Sequence, residues 1–142
     1  MKTFLPKKAQ TEKKWFLLDA AKAPLGKIAV EAARHLAGKH RSDYTPAQDL
    51  GDSVIVINAA QFKLTGNKMT QKKYRSHSGY RGHLKEVTAQ KLGECDPAKA
   101  IRLAVAGMLP NNRLKRARLT RLRIFSATEH SHTAQQPELI EF

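Results

Sequence analysis

Apolar and polar positions fall into blocks with distinct periods. Trp15-Phe16-Leu17-Leu18 is a short apolar run with two aromatics that stops at Asp19, the pattern of a buried strand. After Pro24, the residues Leu25, Ile28, Ala29, Ala32 and Leu36 recur at helical spacing, while Lys27, Glu31 and Arg34 lie off that face. This predicts an amphipathic helix. Gly38 suits its C-terminal stop, and Lys39-His40-Arg41 places cations at the negative helix end. Residues 44–52, with Pro46, Asp49, Gly51 and Asp52, read as a loop. Ser53-Val54-Ile55-Val56-Ile57-Asn58 is apolar on both faces, which predicts a central strand covered by helices on both sides. Strand, helix, loop and strand make a βαβ unit, which favours a parallel sheet with a right-handed crossover.

The second half is less regular. Ala59 to Phe62 reads as a short helical turn and Thr65-Gly66-Asn67 as a turn. Lys72 to Ser76 is the candidate for a third, edge strand, and residues 76–83, with Gly79 and Gly82, read mostly as loop. Asp96-Pro97 is a helix start: Asp caps orphan amides and Pro fits the first helical position. Ile101, Ala104, Val105 and Met108 form the apolar stripe of that helix, and Pro110 with Asn111-Asn112 ends it. Leu122-Arg123-Ile124-Phe125 alternates as a last strand. The tail from Ser126 is polar, with three Glu and no Lys or Arg. The 142 residues fit one domain, divided as a basic extension over 1–14, an α/β core over 15–125 and a polar tail over 126–142.

Charge changes the picture. The chain has 26 Lys+Arg against 12 Asp+Glu, a formal net charge of +14. A compact cation this charged attracts polyanions, nucleic acid first and an anionic membrane surface second. From Ser53 to Lys85 there are seven Lys/Arg and no acid, and from Pro97 to Thr128 eight and again none. Arg113, Lys115, Arg116, Arg118, Arg121 and Arg123 crowd into eleven residues. Plotted on a helix they point in every direction and leave no apolar face. Such a segment is expected to draw counter-charge from outside, and phosphate suits the planar fork of Arg. Lys72-Lys73-Tyr74-Arg75-Ser76-His77-Ser78-Gly79-Tyr80-Arg81-Gly82-His83 interleaves basic, aromatic and small residues. Tyr or His stacks on unpaired bases, and Gly lets backbone amides approach phosphate. Tyr74 fits a packed strand residue equally well.

Other chemistry finds little support. The chain has no G-x-G-x-x-G after its first strand and no P-loop, which counts against a dinucleotide or NTP site. Glu129-His130-Ser131-His132 does not match a zinc-helix spacing, and the single cysteine, Cys95, excludes an internal disulfide and reads as inert. Neither a catalytic triad nor a carboxylate pair stands out, and neither cofactor nor metal is expected. No apolar run approaches the ~20 residues of a membrane span. The basic start lacks the apolar stretch of a secretory signal. A soluble cytosolic protein is the expectation.

In order and spacing, the chain resembles the bacterial large-subunit ribosomal protein L-thirteen family. The matching pieces run from Trp15 and Asp19-Ala20 through Leu25-Gly26-Lys27, Gly38-Lys39-His40 and Tyr44-Thr45-Pro46 to Gly51-Asp52 and Val56-Ile57-Asn58-Ala59. They continue with Thr65-Gly66-Asn67-Lys68, Gly107-Met108-Leu109-Pro110, Leu122-Arg123-Ile124-Phe125, Glu129-His130 and Ala134-Gln135-Gln136-Pro137. Lys115 and Ala127 stand where the family signature usually has other small or polar residues, and Gly82-His83 where a glycine pair is usual. The resemblance implies a three-layer α/β/α domain with a short, about four-stranded, mainly parallel sheet, basic loops and an extended C-terminal tail. It also implies binding to large-subunit rRNA beside neighbouring ribosomal proteins, a part in early subunit assembly, and no catalysis or small-molecule substrate. The candidate RNA contacts are Lys27, Lys39, His40, Lys68, Lys72, Lys73, Arg75, Tyr80, Arg81 and His83, together with the six cations of 113–123. A free RNA- or DNA-binding regulator, and more remotely a small nucleotide-using enzyme on a Rossmann-like sheet, are the competing readings.

Overall fold

The computed structural model describes residues 12–142, so the expected extension 1–14 lies outside the described residues up to 11. The strands are β1 (Trp15–Asp19), β2 (Ser53–Ile57), β3 (Lys73–His77), β4 (Leu84–Thr88), β5 (Leu122–Ile124) and β6 (Glu138–Leu139). The helices are α1 (Leu25–Ala37), α2 (Lys68–Gln71), α3 (Ala89–Cys95), α4 (Pro97–Met108) and α5 (Leu114–Thr120). Four strands form one sheet in the order β5-β2-β1-β6, every pair parallel. The fold is the expected α/β type, consistent with a three-layer arrangement.

The β-branched run became β2, and all five of its residues are buried between β5 and β1. α1 buries Leu25, Ile28, Ala29, Ala32 and Leu36, the face its periodicity marks. They join Leu18, Val54, Val56 and Leu122 of the sheet, and Ile101 and Val105 of α4, in one core. Each large aliphatic side chain buried there contributes on the order of 1.5–3 kcal/mol. α1 ends as the sequence implies. Gly38 sits at φ 83°, its N–H donates to His35 O, and Lys39 N–H donates to Arg34 O. This is the paired 5→2 and 6→1 pattern that only a residue tolerant of the left-handed region closes without strain. Asp96 caps α4 as expected, its Oδ1 accepting from Lys99 N–H at 2.9 Å.

Two expectations need correction, and one helix has no counterpart in the sequence reading. The strand at 72–76 forms, but outside the main sheet. β3 pairs antiparallel with β4, Arg75 opposite Glu86, as a separate two-stranded hairpin. The fourth strand of the main sheet comes instead from the tail: β6 pairs with β1, and Ile140 N–H donates to Leu17 O at 2.9 Å. The second face of β1 also meets the tail, because alternation turns Trp15 away from Phe16 and its ring lies 5.0 Å from that of His132. Finally, α3 has no counterpart in the periodicity reading, because Gly93 interrupts it. A Cβ on Gly93 would stand 3.0 Å from the Phe62 ring, so glycine is what lets this ring pack against the helix.

Candidate nucleic-acid interface

The exposed cations gather at three places. The first is the β3–β4 hairpin. Lys73 Nζ lies 2.9 Å and Arg75 Nε 2.7 Å from the two oxygens of Glu86. Hydrogen bonds from both, Lys73 first, hold the Glu86 carboxyl below its usual range. Two cations thus share one anion and keep a net positive face. At the tip, Gly79 (φ 89°) and Gly82 (φ 76°) take left-handed conformations that carry the chain around between the strands. Tyr80 there is 73% exposed, and its ring meets His83 edge-on at 5.3 Å. Arg81 between them is exposed. An exposed ring pair flanking Arg81 can stack on a base while the cations of the hairpin hold its phosphates.

Tyr74 behaves otherwise. It packs against the core, burial pushes its hydroxyl pKa up, and Lys72 Nζ lies over its ring at 5.2 Å. It is a packing residue of the hairpin.

The second place is the corner of α4 and α5. Arg113 and Arg116 are exposed and Lys115 is half-buried. Lys115, Arg116 and Arg102 line a hollow of about 410 Å³. Arg123 stands exposed on β5, at the sheet edge. The third place is a cleft of about 980 Å³ between the start of α1, the segment 63–72 and the end of α4, where Lys27, Lys68 and Lys72 converge. Lys39 is exposed past the end of α1.

Arg118, Arg121 and His40 are corrected. The sequence reading supposes that the arginine cluster has no internal counter-charge. Yet Arg118 is 1% exposed, its Nε 3.5 Å from Asp49 Oδ1. Arg121 grips the same Asp49 with two hydrogen bonds, that from Nη2 at 2.7 Å. Nη2 also donates to Leu36 O and Nε to Asp52 O. Burial pushes the Asp49 carboxyl up, but the hydrogen bonds and charge of Arg121, with the charge of Arg118, outweigh it and leave its pKa below the usual value. These two arginines tie the 48–52 loop to the last turn of α1. Their forks are spent inside the protein. His40 Nε2 lies 2.8 Å from Oδ2 of Asp52, a carboxylate with no exposure at all, which also accepts from Lys14 N–H and Arg41 Nη1. His40 is therefore part of an internal hub.

Sequence reasoning missed Lys63 and Arg102. Lys63 joins the lysines of the cleft, and Arg102 projects from α4 beside Arg116. Both sit in the acid-free windows, but only tertiary packing brings them to the other cations. In the tail, His130 and His132 pack on aromatic rings, His132 against Trp15 and both against Phe125. Cys95 is exposed and unpaired.

Comparison with known proteins agrees with this picture of a small basic α/β domain. Residues 13–131 match the family model described as "Ribosomal protein L13". "Large ribosomal subunit protein uL13" of Syntrophomonas wolfei is 50% identical over 141 residues, covering 99% of this chain and 98% of the relative. The protein of the same name from Desulfitobacterium hafniense is 50% identical over 139 residues, covering 98% of this chain and 97% of the relative. That from Clostridioides difficile is 45% identical over 142 residues, covering 100% and 99%.

Proposed function

Because the chain belongs to the ribosomal protein L13 family, we propose that it is a structural constituent of the large ribosomal subunit, seated by its basic surface on large-subunit rRNA. The work is binding, without catalysis, in the cytoplasmic ribosome. The observation that supports the rRNA contact best is the hairpin tip. Tyr80 stands 73% exposed beside Arg81, edge-on to His83 and outside the core of the described residues. Along the hairpin that carries it, Lys73, Arg75 and Lys85 supply positive charge against the single carboxylate of Glu86. Arg102, Arg113, Lys115 and Arg116 form a second contact, and Arg123 extends it along β5. Phosphate contacts would hold the protein in register, while Tyr80 stacks on an unpaired base, the usual route to single-stranded RNA. Membership of the family supports neighbouring ribosomal proteins as partners and a part in early assembly.

Sedimentation tests the reading. The protein should travel with large subunits on a sucrose gradient and stay with them through a moderate salt wash. Recovery only in the free fractions would favour a separate RNA-binding regulator. Tyr80→Ala with Arg81→Gln should reduce affinity for transcribed large-subunit rRNA at least tenfold, about 1.4 kcal/mol, and leave the thermal melt unchanged.

A further inference from the structure

The cleft between α1 and α4 holds two glycines that the protein's own fold does not require. Gly26 is the second residue of α1, and Gly107 the next to last of α4. Among the described residues, a Cβ at either would meet nothing within 4 Å, and neither glycine takes a positive φ. Alanine fits both places and favours a helix more than glycine does. The other helical glycine, Gly93, differs, because the Phe62 ring occupies the space above it. Both unexplained glycines line the same cleft of about 980 Å³. Glycine without a steric or torsional reason inside the protein suits a place where another molecule's backbone comes close.

The rest of the lining says which molecule. Lys27, Lys63, Lys68 and Lys72 surround the opening, and no acidic residue lines it. Among the described residues, none of the four lysines is in an ion pair. Lys68 Nζ donates only to the neutral Thr65 hydroxyl, at 3.1 Å. The cleft also has an apolar side, where Leu103 and Met108 are each 43% exposed. Four cations around an apolar wall complement a phosphodiester chain with an unpaired base.

We infer that this cleft seats a tight turn of single-stranded rRNA, its sugar–phosphate backbone passing over Gly26 and Gly107. The lysines hold the phosphates, and one base lies against Leu103 and Met108. The inference rests on the rRNA-binding reading above and adds the cleft as a third seat beside the hairpin and the α4–α5 corner.

The test uses the full chain, transcribed large-subunit rRNA at fixed salt, and hydroxyl-radical footprinting. Gly107→Ala and Gly107→Leu should leave the melt of the free protein unchanged or raise it. Affinity should fall about threefold for Ala and tenfold or more for Leu, as the side chain grows into the backbone's path. Lys27→Gln with Lys68→Gln should erase the same protected stretch of RNA that Gly107→Leu erases. Arg81→Gln, outside the cleft, should erase a different one. If Gly107→Leu keeps wild-type affinity and footprint, the inference is overturned, even where the lysine pair weakens binding. If Gly107→Leu keeps the footprint but drops out of assembled subunits, the cleft takes a protein neighbour and the inference again fails. Absence of any footprint with the wild-type chain would instead sink the rRNA-binding reading itself.

Discussion

Arg116 and Arg121 are the same residue type five positions apart, yet one faces water and the other lies against Asp49, Leu36 O and Asp52 O. Removing one partner of a largely buried pair strands the other charge, at a cost of about 3–5 kcal/mol. Arg121→Gln is therefore expected to lower stability by about 3 kcal/mol in chemical denaturation, whereas Arg116→Gln should stay within about 0.5 kcal/mol. Equal, small effects from both would refute the internal network. His35 makes a pH prediction. Burial first, then the charge of His40, lowers its pKa from 6.5. Above that value both folded and unfolded states hold it neutral. As pH falls below it, the unfolded state binds the proton first, so stability declines toward the lowered folded value. The ring packs on Phe16 at 4.2 Å and, among the described residues, its Nδ1 has no hydrogen-bond partner. His35→Phe keeps an aromatic ring there and should flatten the fall in Tm as pH drops below 6.5. An unchanged slope would assign that fall to other groups. Asp49 acts at lower pH: its stabilisation is complete above its ordinary pKa of 3.8 and is lost as pH drops through the depressed folded value.

Among the elements, the hairpin and β6 stand farthest from what local pattern implies. Glu86 is exposed enough that its pairing with Lys73 and Arg75 adds little to stability, as surface pairs usually do. It does compete with phosphate for both cations. Glu86→Gln should leave the melt essentially unchanged and raise rRNA affinity severalfold at low salt. A weaker complex would mean that Glu86 orders the hairpin for binding. β6 is only two residues long, so its own ladder contributes modestly. Its position matters more, because Ile140 packs against the core from beyond it. Deleting 137–142 should lower Tm by several degrees, since a loss of about 1 kcal/mol shifts a domain of this size by roughly 2–8 °C. An unaltered Tm would show that the tail rests on the sheet without supporting it.

For the whole molecule, the net charge of +14 makes binding strongly salt-dependent. If about eight cations meet phosphates, log affinity should fall against log salt with a slope near −6 to −7, at about 0.7–0.9 per contact. A slope shallower than about −2 would contradict an extended basic interface. Arg118 and Arg121, spent on Asp49, should not contribute to it; Lys63 and Arg102 enter in their place.

Which of these properties could be read from the linear chain follows from the range of the forces involved. β1, α1, β2, α4 and the parallel β1–β2 pairing were legible because each rests on local pattern: a β-branched run, a period of 3.6, a Gly38 stop, an Asp96-Pro97 start. The basic character was legible because charge needs no geometry to be counted, and the order of short motifs from Trp15 to Pro137 pointed to the family. What each arginine faces was not legible. Asp49 lies 72 residues before Arg121, so absence of acids near 113–123 in sequence said nothing about acids in space. The partner of β3 and the source of the fourth strand were hidden for the same reason. A short edge strand such as Glu138-Leu139 has no periodicity of its own and exists because β1 offers it an open edge. The cleft is likewise a product of packing, since Gly26 and Gly107 come together only when α1 lies against α4. Local patterning chose the elements and the sign of the partner; long-range ion pairs and strand pairing decided which cations remain free to meet it.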